Sequence, residues 1–308
     1  MAPKQVALVG AGSLGSMILR ELLKVPDLYT PIILTRKPSS RTDVPASQIR
    51  VIDYTSSSSL ETALQGVWAV INTAVPYPDG SDYFGGQMNL IHAAKRAGVK
   101  RYVPSEFTGS RQSNNLITAF KIKNVIVDEL KKTSLEWTAF RAGLYMNLLA
   151  FGSKKERVIE DAFDGVRPFA MYVNIGEGTA TIPGTGDEPV IFTLAQDIGK
   201  IVVQALALEK WEEDSWIPGT KSTYNEVVKL AEEITGRKFT VTYESVEELE
   251  GRLEETKKDP SNFMAQFMVE ASLCIIKRVN ETYDDKLVSK LGNPDIVQLR
   301  AFLERWWG

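Results

Sequence analysis

The chain is predicted to be an α/β protein built on a doubly wound parallel sheet, and three observations predict it. Short apolar runs and helical stretches alternate through the first 150 residues. The first run ends in a glycine-rich turn that opens a helix. Runs such as Pro31-Ile-Ile-Leu-Thr35 and Val67-Trp-Ala-Val-Ile71 are apolar almost throughout, as strands covered on both faces must be.

In chain order, Gln5–Val9 reads as the first strand and Leu14–Lys24 as a helix with Leu14, Ile18, Leu22 and Leu23 on one side. Pro31–Thr35, Arg50–Tyr54 and Val67–Ala74 follow as strands, with a short helix at Ser59–Leu64. A helix over about residues 86–97 stops at Gly98, a residue suited to a C-terminal cap. Arg101–Pro104 and Glu136–Arg141 complete six strands, flanking a helix expected over residues 116–132. The division expected is a dinucleotide-binding domain over 1–150 and a smaller α+β substrate lobe over 151–308, with some segments returning to the first domain. In that lobe Phe192–Glu209 and Thr223–Thr235 read as helices and Phe239–Tyr243 as a strand.

Composition narrows the function. Lys and Arg number 36 against 39 Asp and Glu, a net charge of -3, which argues against a nucleic-acid binder. One cysteine, Cys274, and one histidine, His92, leave no disulfide framework and no expected metal site. No apolar run reaches the roughly 18 residues of a membrane span. The first strand begins at Gln5, leaving no room for a signal peptide. These features lead to the expectation of a cytoplasmic protein with a small-molecule substrate, no membrane or nucleic-acid partner, and a homodimer as an open alternative.

Gly10-Ala-Gly12-Ser13-Leu14-Gly15 follows a strand and opens a helix, the context in which this spacing binds a dinucleotide. Gly10 permits the tight turn, Gly12 lets pyrophosphate approach the backbone, and Gly15 lets helix and sheet lie close. The helix start at Ser13 and Leu14 offers N–H groups and a partial positive charge. An Asp or Glu ending strand two would hold a ribose 2′-hydroxyl. Here stand Arg36 and Lys37, then Ser39, Ser40 and Arg41, a set that attracts a 2′-phosphate. The expected cofactor is NADP(H).

On a helix over 116–132, Leu116, Ala119, Phe120, Ile122, Ile126, Val127 and Leu130 share one apolar arc, and Lys123 projects near its centre. A buried ammonium needs water, a ligand or a counter-charge, and desolvation lowers its pKa toward the range useful in acid catalysis. Tyr-x-x-x-Lys, the usual acid of short-chain dehydrogenases, is absent: none of the ten tyrosines has a lysine four residues later.

Taken together, the glycine loop, Arg36, Gln87-x-x-Leu-Ile-x-Ala-Ala-x-x-Ala-Gly98, Lys100-Arg-Tyr-Val-Pro-Ser-Glu-Phe107, Lys123 and Trp137-Thr-x-x-Arg-x-Gly143 resemble the isoflavone reductase-like and NmrA-like atypical short-chain dehydrogenases, with wording nearer the fungal members. The resemblance is good over about the first 150 residues and loose beyond. It implies an NADPH-binding Rossmann domain, a lysine acid at Lys123, and a nicotinamide bordered by Pro104, Ser105, Glu106 and Phe107. It also implies a cleft lined by Thr73, Ala74 and the loop to Pro76, with Gly143 to Tyr145. Thr108 replaces a glycine often found in the family, and the histidine of some plant members has no counterpart.

Lys123, Glu106 and Tyr145 are thus the candidate catalytic groups. The first function expected is an NADPH-dependent reductase of a small aromatic or alkaloid-like secondary metabolite. Alternatives are a non-redox isomerase, rearrangement or cyclisation catalyst using the same bound NADP(H), and an NADP(H)-sensing regulator.

Overall fold

The computed structural model describes residues 2–38, 41–75, 82–259, 262–281 and 283–308. Two compact units divide the chain: Met1–Phe107, Ile122–Arg141 and Ile198–Ser215 form one, and Thr108–Lys121, Ala142–Asp197 and Trp216–Gly308 the other. The chain therefore first leaves the first unit after Phe107 and returns to it twice, at Ile122–Arg141 and at Ile198–Ser215.

The chain begins β1 (Lys4–Val9), α1 (Ser13–Leu23), β2 (Tyr29–Thr35), β3 (Ile49–Val51), α2 (Ser57–Ala63), β4 (Val67–Asn72), α3 (Tyr83–Arg96) and β5 (Arg101–Val103). It continues with α4 (Arg111–Leu116), α5 (Lys121–Leu130), β6 (Glu136–Trp137), β7 (Ala139–Arg141) and β8 (Leu144–Tyr145). Then come β9 (Val173–Asn174), β10 (Thr179–Pro183), β11 (Val190–Thr193), α6 (Ala195–Ala205), β12 (Asp214–Trp216) and β13 (Thr220–Ser222). The last elements are α7 (Tyr224–Thr235), β14 (Thr240–Glu244), α8 (Val246–Thr256), α9 (Phe263–Ile276), α10 (Lys286–Lys290) and α11 (Leu299–Trp307).

In the first unit six parallel strands run in the order β3-β2-β1-β4-β5-β6, the Rossmann arrangement. Val6 to Val9 of β1 are completely buried, which explains why that run carries no polar alternation. Strand order reverses between β1 and β4, and it is outside the carboxyl ends of strands at such a switch point that doubly wound sheets bind ligands. Gly10 and Thr73 follow directly on those two ends.

The helix expected over 116–132 is broken. Ile117 takes an extended conformation (ψ 112°), and the Thr118 N–H and hydroxyl both donate to the Glu270 carboxylate, at 2.8 and 2.6 Å. A carboxylate one hundred and fifty-two positions away thus takes the hydrogen bond that would have continued the helix. Leu116, Ala119 and Phe120 pack with Ile117, Ala271 and Cys274 in the second unit, while Ile126, Val127 and Leu130 belong to the first unit's core. The strand expected over 136–141 also divides. Ala139 N–H donates to the Glu213 carbonyl at 2.8 Å, so the chain leaves β5 and β7 pairs with β12. Residues 192–209 are not one helix: Val190–Thr193 is β11, placed between β13 and β8, and α6 starts only at Ala195.

The second unit holds the three-stranded sheets β13-β11-β8 and β14-β10-β9 with α7 to α11. Helix α7 opens on a full capping box between Thr223 and Glu226. Inside this unit the Asn147 amide donates to the Ala162 carbonyl and to Gln196 Oε1, and its oxygen accepts from Ala195 N–H, fixing the start of α6 behind β8. Among the described residues, no helix is long and apolar enough to cross a membrane.

Candidate functional site

The glycine loop is shaped for a group that approaches the backbone. Gly10 sits at φ 82°, and a Cβ there would lie 2.8 Å from the Ala74 nitrogen, so both conformation and space demand glycine. A Cβ on Gly15 would fall 2.1 Å from the Gly10 carbonyl oxygen. Gly12 differs: among the described residues, a Cβ there would meet nothing within 4 Å. Glycine at this position therefore keeps open a space that the described residues leave unfilled. Gly12 is the N-cap of α1; no side chain caps the helix, and its first turn holds no acidic residue. The N–H groups at Ser13 and Leu14 and the helix dipole are set to receive an anion. Thr73 and Ala74 brace the loop, with Thr73 Oγ1 donating to the Val9 and Gly10 carbonyls. This donor set fits a dinucleotide pyrophosphate.

Beyond β2, Arg36 and Lys37 are exposed. Ser39 and Ser40 lie outside the described residues, as does Pro76. Arg41 reaches back to the glycine loop: its guanidinium donates to the Ala11 carbonyl at 3.1 Å and the Ser16 hydroxyl at 3.4 Å. Asp43 holds the other side of that guanidinium at 2.5 and 2.9 Å. Arg36 and Lys37 thus follow directly on β2, and Arg41 touches the glycine loop.

The lysine singled out by helical spacing is held by main chain. Lys123 Nζ donates to the Ser105 carbonyl and, at 2.9 Å, to the Glu106 carbonyl. Desolvation lowers its pKa from 10.5 to about 8; the Glu106 charge opposes that fall and the Arg141 charge adds to it. The next residue, Phe107, has a left-handed backbone (φ 45°), rare for a bulky side chain, and stacks on Phe140 at 6.2 Å. Its N–H donates to the Phe140 carbonyl at 2.9 Å. Pro104, Ser105 and Phe107 are therefore brought together with Lys123 at the end of β5.

Glu106 requires a correction. Expected as an acid–base group, its side chain is instead 2% exposed and bonded to Arg141. Arg141 is equally buried and donates through Nε to Asp214 Oδ1 at 2.6 Å. The Glu106 carboxylate is thus engaged by a guanidinium in the interior and not presented to a ligand. The buried pairing of Arg141 with Glu106 and Asp214 was not anticipated. The available signal was a charged residue closing an otherwise apolar strand, Trp137-Thr-Ala-Phe-Arg141.

Tyr145 belongs to the second unit, where it lines a small, partly open pocket with Leu144, Leu148, Met171, Phe192 and Tyr224 among others. Burial alone pushes its phenol up to about 12, and Tyr224 is also raised by burial. Neither hydroxyl makes a hydrogen bond among the described residues, whereas the neighbouring Tyr172 hydroxyl accepts from Ser272 at 3.2 Å. Among the described residues, no charged side chain lines this pocket.

Residues 3–287 match the NmrA-like family. The chain belongs to that family. It is 31% identical over 238 residues to the oxidoreductase BOA1 of Botryotinia fuckeliana, a match covering 75% of each chain. The structure of the Citrobacter sp. triphenylmethane reductase with NADP(H) superposes with a TM-score of 0.70 at 18% identity, covering 98% of this NmrA-like chain and 99% of the other. AtPrR2, solved with NADP+ and (+)pinoresinol, gives 0.74 at 18% identity over 99% of both chains. At such identities these structures establish the shared fold.

Proposed function

We propose that this protein is an NADPH-dependent reductase of a small, neutral, ring-bearing metabolite, with Lys123 as the proton donor. The observation that carries the reading is the Lys123 amine, drawn out of water and seated on the Ser105 and Glu106 carbonyls in the same unit as the glycine loop. Oxidoreductase relatives in fungi support it, as do NADP(H) complexes among proteins of the same fold.

In this reading Gly10, Gly12, Ser13, Leu14 and Gly15 would hold the pyrophosphate, braced by Thr73 and Ala74, while Arg36, Lys37 and Ser39 would take the adenosine 2′-phosphate. NADPH supplies the hydride when bound. Pro104, Ser105 and Phe107 would form the wall on the nicotinamide side. Lys123, cationic at neutral pH with a pKa of about 8, can give a proton to a substrate oxygen or nitrogen and recover it from water. Within the second unit, Tyr145 and Tyr224 line a small aromatic pocket, a surface chemically matched to a neutral group carrying a ring and a hydrogen-bond acceptor.

The test is consumption of NADPH, followed by its absorbance, across a panel of enones, imines, ketones and quinones. Turnover of at least one class, with loss of rate as pH rises through about 8, is expected. No consumption across the panel, despite tight NADPH binding, would overturn the reductase reading.

A further inference from the structure

Burying an arginine is costly, and Arg141 is almost completely buried, at 1% exposure. Between Glu106 and Asp214 its charge is compensated, but an apolar residue of similar volume would serve stability as well. What such a residue would not do is hold the Glu106 side chain in one place. Glu106 contributes to Lys123 twice: its carbonyl accepts the ammonium at 2.9 Å, and its carboxylate charge acts on the same amine. The Ser105 carbonyl, the second acceptor, is one peptide away, and left-handed Phe107 closes the turn.

We propose that Arg141 is a positioning residue for Lys123, acting through Glu106: it fixes the turn whose carbonyls seat the ammonium, and it offsets the carboxylate charge beside that ammonium. Asp214, half-exposed, anchors the far side of the guanidinium. The charged groups acting on the lysine are then Glu106 and Arg141, with opposite sign. The proposal rests on Lys123 being the acid of the reductase reading, yet its test needs neither substrate nor cofactor.

The experiment is competitive acylation of the free protein with a small anhydride at a series of pH values. Mass spectrometry reads the midpoint of Lys123 labelling, with Lys121 as internal reference. Glu106→Gln keeps the side chain's shape and removes its charge. The Lys123 midpoint should fall, raising labelling below the midpoint by about three- to tenfold. Arg141→Met leaves Glu106 uncompensated. The midpoint should rise, with labelling falling by a similar factor of about three to ten. The double variant, which removes both charges, should return toward the parent curve. A merely structural role would move both single variants in the same direction, toward an ordinary surface lysine, and that result overturns the proposal. Should Arg141→Met not fold, Glu106→Gln and the double variant still decide: an unmoved midpoint in Glu106→Gln refutes it. If the opposite shifts are found but no substrate is reduced, the positioning stands and the reductase reading falls.

Discussion

In the first unit, the groups at the end of the sheet are charged, or have been stripped of side chains so that something charged can come close. Gly12 leaves open space at a helix start, Arg41 touches the loop carbonyl, and Lys123 sits on two peptide oxygens beside the Glu106–Arg141 pair. The second unit's cavity is made the other way. Phe192, Met171, Leu144 and three tyrosines line it, and among the described residues no charged side chain does. The contrast separates two tasks. A phosphorylated dinucleotide is recognised through dipoles and cations, which the first unit supplies. On the proposed reading, a neutral metabolite would be selected by exclusion of water and a few hydroxyls, of the kind found on the second unit's pocket.

The contrast can be broken most sharply at Lys123. Lys123→Met should lower turnover by about 10²–10⁴-fold while leaving the NADPH dissociation constant within about threefold, since only proton transfer is lost. Fluorescence titration together with steady-state rates checks this; an equal loss in binding would mean the lysine serves the cofactor and not the chemistry. The same variant carries a signature in stability. The folded-state value of Lys123, about 8, lies below its ordinary 10.5, so between those values the unfolded chain binds the extra proton and stability rises with pH. Lys123→Met should lose that rise, as denaturant melts across the window would show.

The next effect should come from the glycine loop. Gly12→Val adds bulk where the protein leaves 4 Å clear, so it should weaken NADPH binding by about a hundredfold or more, ~2.7 kcal/mol, with little change in melting temperature. Gly15→Ala should instead destabilise the fold, because its Cβ meets the Gly10 carbonyl. If both variants behaved alike, the space at Gly12 would not be a phosphate site. Arg36→Ala should follow, weakening NADPH by about tenfold or more and NADH hardly at all, on the strength of one charge-assisted contact. Equal losses would contradict the 2′-phosphate assignment. The smallest effect belongs to the cavity. Tyr145→Phe and Tyr224→Phe should each raise KM for an accepted substrate by about three- to tenfold and leave NADPH binding unchanged. An effect on the cofactor instead would erase the division of labour.

The first unit was largely legible in the sequence because its signals are local. A buried parallel strand shows as an apolar run, and the tight turn into α1 as glycines at fixed spacing directly after it. That Lys123 turns inward was legible too, although for a partly mistaken reason. The long apolar arc that framed it does not exist, since Leu116 to Phe120 pack in the second unit. The break there depends on Glu270, far along the chain, capturing the Thr118 N–H. No local pattern announces such a partner. Glu106 misled for the same reason: a carboxylate in a motif looks like an acid–base group until Arg141, thirty-five residues away, is seen to hold it. The tyrosine cavity draws on β8, β9, β11 and α7, so only Tyr145, next to a strand end, could be noticed in advance.

The claim on which the account turns is that the cofactor and the Lys123 amine share one site. Acylation of Lys123, measured by mass spectrometry with and without saturating NADP+, tests it without any knowledge of the substrate. The account predicts strong protection of Lys123 by NADP+, weaker protection by NAD+ at the same concentration, and none at Lys121. Equal labelling of Lys123 in the presence and absence of NADP+, with binding of the nucleotide verified in the same samples, would contradict it.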